Sequence, residues 1–366
     1  MVRLGKLGAV IGALLVFPLL GVTLAGKRPE AYLHFPPRTE PVNPAPFSWP
    51  VFLALAAAVV AVLAPFLIRL LRASAAPDPS SAAPFPRWGW AGLLLLLAGW
   101  IVAWGPADWP QGLRRHAFVP LWLGYILVVN AWTRRRTGSC LLTGHPGAFL
   151  LLFPVSAGFW WLFEYLNQFV GNWHYLGLGD RSDWAYFWAG TPAFATVLPA
   201  VLSTRDLLNS WPRLHAGLRT APLLPARWEP AAGWAALLLA LAGLVAVGAA
   251  PERAYPLLWL APLLLVTGVQ AAAGGPSFLG ALAAGDWRPV WLAALAALVC
   301  GFFWEFWNWG SLARWEYAIP YAGGFHLFAM PVLGYAGYLP FGLECAAAAA
   351  LVLGSRRERL LFGPLR

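Results

Sequence analysis

Two short stretches of this chain repeat one arrangement of an acid, an amide and two aromatic residues. In the first, Glu164 and Asn167 are followed by Trp173 and Tyr175; in the second, Glu305 and Asn308 are followed by Trp315 and Tyr317. A spacing of three places each acid and its amide on one face of a helix. Trp304 directly precedes Glu305, and a third acid, Glu344, lies in the apolar run Pro340-Phe-Gly-Leu-Glu344-Cys. In low-dielectric surroundings the protonated form of a carboxyl group is favoured, so such an acid can donate a proton at neutral pH. Indole and phenol faces stabilise a nearby cation by about 1–2 kcal/mol each once water is excluded. An acid beside an aromatic wall is what protonation of an alkene, followed by rearrangement of the carbocation, requires. On this reading the catalytic candidates are Glu305, Glu344, Asn308, Glu164 and Asn167, and the substrate-contacting candidates are Trp304, Trp315, Tyr317, Trp173, Tyr175 and His326. His174 joins His326 as a candidate for a proton path. The same residues also fit a plainer role, with Glu and Asn as hydrogen-bond glue between helices and Trp-x-Tyr as an interfacial anchor.

The elements that position these residues must be membrane helices. Of 366 residues, 60% are hydrophobic and only 11% charged, whereas a soluble domain carries about a quarter charged. A bilayer can act as the solvent for such a surface. The 23 Trp and 10 Tyr suit the membrane–water boundary. Apolar runs long enough to span fall at approximately 7–25, 49–71, 88–105, 117–133, 147–168, 185–204, 232–250, 254–273, 289–309 and 327–353. The expected fold is therefore an all-α transmembrane bundle of about ten spans. If the last span starts near Pro331, Glu344 lies about 18 Å along it, roughly mid-bilayer.

With both termini inside, the inner segments hold 17 of the 25 Lys and Arg and the outer segments hold 8. That asymmetry favours cytoplasmic termini in an inner (cytoplasmic) membrane of bacterial type. The net charge of +10 resides in arginines placed between apolar runs, which is a topology signal rather than a nucleic-acid surface. The first apolar run reads as a retained span, since no small-x-small cleavage site precedes Lys27. Three cysteines without paired spacing support neither a disulfide framework nor a metal site. Lys6 and Lys27 are the only lysines, so no Schiff base is available inside the bundle. Phosphate-cradling loops, dinucleotide turns and nucleophile elbows are likewise lacking. Neither a cofactor nor a metal is expected.

The second half echoes the first in order. Gly89-Trp90 through Gly99 matches Gly233-Trp234 through Gly243, and Trp122 is echoed by Trp259. The two Glu-x-x-Asn and Trp-x-Tyr stretches follow, each succeeded by a proline-containing segment. Glu is costly at membrane depth, so its recurrence in one context predicts two four-helix units, 88–204 and 228–353, behind an N-terminal helix pair within residues 1–75. An even number of spans gives both units the same orientation.

At Trp304-Glu305-x-x-Asn308, then Trp315-Glu-Tyr317, then a proline helix carrying Glu344, the sequence resembles the small membrane-embedded lycopene cyclases. The resemblance implies a redox-neutral, cofactor-independent cyclase or isomerase acting on a long polyene within the bilayer, as in carotenoid biosynthesis. Glu305 then matches the first acid, Asn308 the amide, Trp315 and Tyr317 the aromatic pair, and Glu344 the acidic position. The chain departs from that pattern in two ways: a single Glu344 replaces a pair of acids, and acid and amide are three apart rather than adjacent. Three readings stand side by side: an isoprenoid-modifying enzyme with its site in the second unit, a scaffold or complex subunit, and a proton-coupled transporter. The partner on the first is a membrane lipid or hydrophobic polyene; a membrane-protein partner or a homo-oligomer fits the second. Convergence of Glu305, Asn308 and Glu344 on an apolar tunnel separates the first from the others.

Overall fold

In lipid every backbone polar group must be satisfied within the segment, so apolar runs in this chain fold as helices. The computed structural model describes residues 2–74, 83–219 and 225–354. Arg356, Arg357, Arg359 and Arg366, counted for orientation, lie outside the described residues. Among the described residues seven helices are long and apolar enough to cross a membrane: Leu4–Leu24, Trp49–Arg72, Pro146–Val170, Asp183–Asn209, Ala226–Ala249, Arg288–Gly310 and Val332–Leu353. The other three expected spans are helical but do not meet that description. Arg87–Ala103 and Leu257–Ala272 have 17 and 16 residues, about 25 Å of helix against a hydrocarbon core of about 30 Å. Phe118–Thr137 ends in Arg134, Arg135 and Arg136.

Helix pairing follows small residues. The Arg87–Ala103 and Phe118–Thr137 helices cross where Gly92 faces Gly124; a Cβ on Gly124 would lie 2.8 Å from the Gly92 carbonyl oxygen. The Glu229–Ala249 and Leu257–Ala272 helices cross in the same manner, with Gly268 against the Gly233 carbonyl at 2.9 Å. Small side chains let backbones approach where lipid supplies no hydrophobic drive. The Arg288–Gly310 helix sits deepest, packed against Tyr338–Leu353 and Val197–Asn209. By contrast, Trp49–Arg72 buries no residue, although Phe66 stacks on Trp291 at 5.6 Å.

Both Trp-x-Tyr motifs are β-strands rather than loops. Trp173–Leu176 and Arg314–Tyr317 pair antiparallel, with Trp173 opposite Tyr317 and Tyr175 opposite Trp315. Side chains alternate faces along a strand, so the x between Trp and Tyr turns both aromatics of each motif to one face. His174 and Glu316 take the other. A segment between the first two helices drapes over this end of the molecule. Its Tyr32 stacks on Phe169 at 4.4 Å, and Tyr321 donates its N–H to the Ala45 carbonyl at 3.2 Å.

Candidate functional site

Each acid of the repeated motif is buried and gathers the aromatic residues that follow it. Glu164 Oε1 accepts from Tyr175 Oη at 2.6 Å, Trp160 Nε1 at 2.8 Å and Trp173 Nε1 at 3.2 Å. Glu305 Oε1 accepts from Tyr317 Oη at 2.6 Å, Tyr338 Oη at 2.7 Å and Trp315 Nε1 at 3.4 Å. Trp315 Nε1 also donates to Tyr317 Oη at 2.7 Å. Two of the three donors are the same in both stretches and come from the strands. The third differs. Trp160 lies one turn before Glu164 on its own helix, and the corresponding place before Glu305 is Gly301, where a Cβ would lie 2.3 Å from the Tyr338 ring. The missing side chain opens the space through which Tyr338, on the last helix, reaches Glu305.

The amides serve the same geometry from behind. Asn308 donates to the Trp315 carbonyl at 2.8 Å and accepts the Trp315 N–H at 2.8 Å. Asn167 likewise donates to the Trp173 carbonyl at 2.7 Å and accepts from the N–H groups of Asn172 and Trp173. Each Asn thus clamps the backbone of the tryptophan that its neighbouring Glu holds by the side chain. These are positioning contacts.

Between the two Glu-centred clusters lies a cavity of about 170 Å³. Tyr175, Tyr317 and Tyr338 reach its wall, as do Trp160, Trp173 and Trp315. Trp259, stacked on Trp173 at 5.6 Å, and Trp304, stacked on Tyr338 at 5.9 Å, complete an aromatic lining. Glu164 and Glu305 lie one layer behind this wall, so the phenols stand between carboxyl and cavity. In the strands, burial, followed by the adjacent Glu164 or Glu305 carboxylate, pushes the Tyr175 and Tyr317 hydroxyls well above the ordinary phenol range. Both remain protonated donors.

Several sequence expectations meet a different geometry: Glu305, Asn308 and Glu344 do not converge on the cavity, and none of the three lines it. The cavity is lined by residues from 115–197 as well as from 259–338, not from the second half alone. Glu344 is buried but does not line it; its Oε1 accepts the Leu263 N–H at 3.1 Å, and Oε2 has no partner among the described residues. His326 is exposed in a short hairpin with Met330–Pro331 and does not line it either, nor does His174. Tyr338, Trp160 and Trp259 are wall residues that motif reading passed over. The clue for Tyr338 lies in Gly301 itself, the small residue one turn before Glu305.

No protein-family model matches this chain, and neither does any curated protein or solved structure.

Proposed function

We propose that this is an integral membrane enzyme that rearranges an isoprenoid by acid catalysis without a cofactor. The observation that carries the reading is the aromatic cavity faced by phenols, each hydrogen-bonded to a buried glutamate. In the proposed step Glu305 starts as the protonated acid: the Tyr317 hydroxyl turns from Glu305 Oε1 and gives its proton to a terminal alkene, and the carboxylic acid of Glu305 then donates its own proton to the phenol oxygen. The alkene becomes a tertiary carbocation, which the indole and phenol faces stabilise. A neighbouring double bond attacks the cation and closes a ring. Loss of a proton to the phenol–carboxylate pair forms a new alkene and restores the site. Atoms and electrons balance, so product and substrate are isomers. Tyr175 with Glu164 forms a second such pair in the cavity and provides an alternative acceptor for the departing proton.

The same reading takes the molecule as ten spans in an inner membrane with both termini cytoplasmic. Its two four-helix units are related about an axis along the membrane normal. The matched Asn clamps and the Trp-x-Tyr donors shared by Glu164 and Glu305 support the duplication. The 17-to-8 distribution of basic residues supports the orientation.

The test is expression in a lycopene-producing host that also makes shorter isoprenoids, with the whole lipid extract compared by mass and chromatography. An isoprenoid isomer that depends on the protein and disappears in Glu305→Gln is expected. Extracts indistinguishable from those of the empty host, with the protein abundant in the membrane, would overturn the reading.

A further inference from the structure

A neutral polyene would use only the aromatic part of this cavity. Its open end is different. Arg115, Arg181 and Arg314 line it together with His116, and all four are partly or fully exposed while Trp173, Trp304 and Tyr338 are buried. Arg115 donates through Nε to the Gly177 carbonyl at 2.9 Å, and Arg181 through Nε to the Leu178 carbonyl at 2.9 Å. Two guanidinium groups are thus braced on consecutive carbonyls of one loop. That loop depends on glycine: Gly177 has φ +70° and a Cβ there would meet the Leu312 carbonyl, and Gly179 has φ +72° with Arg115 Nη1 3.0 Å from its Cβ position. An alanine at either place would be strained.

Of the nearby carboxylates, Asp180 is exposed next to Arg181 in the loop and makes no ion pair among the described residues, so it offsets one of the three arginine charges, and two others are already taken. Glu316 pairs with Arg314 at 3.3 Å, and Asp183 pairs with Arg38 at 3.6 Å. Among the described residues neither Arg115 nor Arg181 has a carboxylate partner; Arg115 reaches only the neutral Gln111 amide at 2.8 Å, besides the loop carbonyl. The open end therefore carries an excess of positive charge, on a side of the molecule where basic residues are the minority. Guanidinium forks fit phosphate oxygens bidentately. A phosphate monoester, at about −1.5 to −2, matches two unpaired guanidiniums better than a single carboxylate does.

Resting on the enzymatic reading above, we propose that the substrate is an isoprenoid amphiphile whose phosphate head binds Arg115 and Arg181 while its apolar chain enters the aromatic cavity. The head fixes the register of the chain against Tyr317 and Tyr338.

The experiment measures binding to the full-length protein in neutral phosphatidylcholine vesicles by quenching of tryptophan fluorescence, with geranylgeranyl phosphate and geranylgeraniol as probes. The phosphate should bind about tenfold more tightly than the alcohol, a difference of about 1.4 kcal/mol. The double substitution R115Q/R181Q should reduce that ratio to about one without weakening alcohol binding, and Arg181→Lys should restore part of it. Retained alcohol binding shows that the variants fold. Inorganic phosphate and vesicles containing phosphatidic acid serve as competitors and distinguish a free anion or a bulk lipid headgroup from a chain-bearing phosphate. Competition by either at concentrations comparable to the probe would overturn the proposal, as would equal binding of phosphate and alcohol. Glu305→Gln should keep the phosphate preference while losing turnover. Loss of preference with turnover intact defeats this inference alone, whereas preference without any isomer formed defeats the catalytic reading alone.

Discussion

Tyr317 and Tyr338 both donate to one oxygen of Glu305, at 2.6 and 2.7 Å, but they arrive from different elements. Tyr317→Phe removes one of three donors and leaves Trp315 without its 2.7 Å acceptor. It should cost about 1–3 kcal/mol of stability, read as a lower Tm in detergent, while abolishing product formation if Tyr317 delivers the proton. A variant with unchanged turnover would move that role to Tyr338. The raised phenol pKa values of Tyr175 and Tyr317 make a second prediction. A group whose pKa is higher folded than unfolded contributes stability that is complete below the unfolded value, about 10 for Tyr, and is lost as pH rises above it. Base titration followed at 295 nm should therefore leave these two phenols un-ionised near pH 10, with their ionisation coinciding with unfolding. A full tyrosinate signal from the folded protein would contradict their burial.

The repeated Glu-x-x-Asn and Trp-x-Tyr motifs are visible in the sequence because they are local, and the structure brings them together. What each amide does depends on the strand that follows it. Asn308→Ala should release the Trp315 backbone and cost about 2–3 kcal/mol for two lost buried hydrogen bonds, with a change in near-ultraviolet circular dichroism. Insensitivity of that spectrum would mean the strand is held elsewhere. Gly301→Ala tests the helix packing that admits Tyr338. A methyl group 2.3 Å from the ring must displace it, so the variant should lose activity without any change in a polar residue. Activity equal to wild type would show that Tyr338 is dispensable. These relations were not legible from spacing, because Trp160 and Tyr338 occupy equivalent places from different helices. For Glu344 the sequence shows an acid within an apolar run, but not which way its helix faces. That facing sends the side chain to the Leu263 N–H instead of the cavity.

At the scale of the whole molecule, seven helices suited to a bilayer support residence in a membrane, and hydropathy alone carried that much. Three further apolar runs fall outside that set, two because their helices have only 17 and 16 residues and one because its last turn is Arg134, Arg135 and Arg136. The cavity belongs to neither half. It arises where strands from the two motifs pair, a long-range contact that no local pattern encodes, and its aromatic lining is drawn from both sides. In the sequence Arg115, Arg181 and Arg314 are scattered residues between apolar runs, and their convergence on one cavity is visible only in three dimensions. The most direct measurement of the central claim is proton transfer from the site to an isoprenoid. Purified protein in vesicles is incubated in D2O with geranylgeranyl phosphate and, separately, with lycopene, and the products are weighed by mass spectrometry. One deuterium per ring formed is expected with wild-type protein and none with Glu305→Gln. Recovery of both compounds unchanged and unlabelled from folded wild-type protein would contradict an acid-catalytic site.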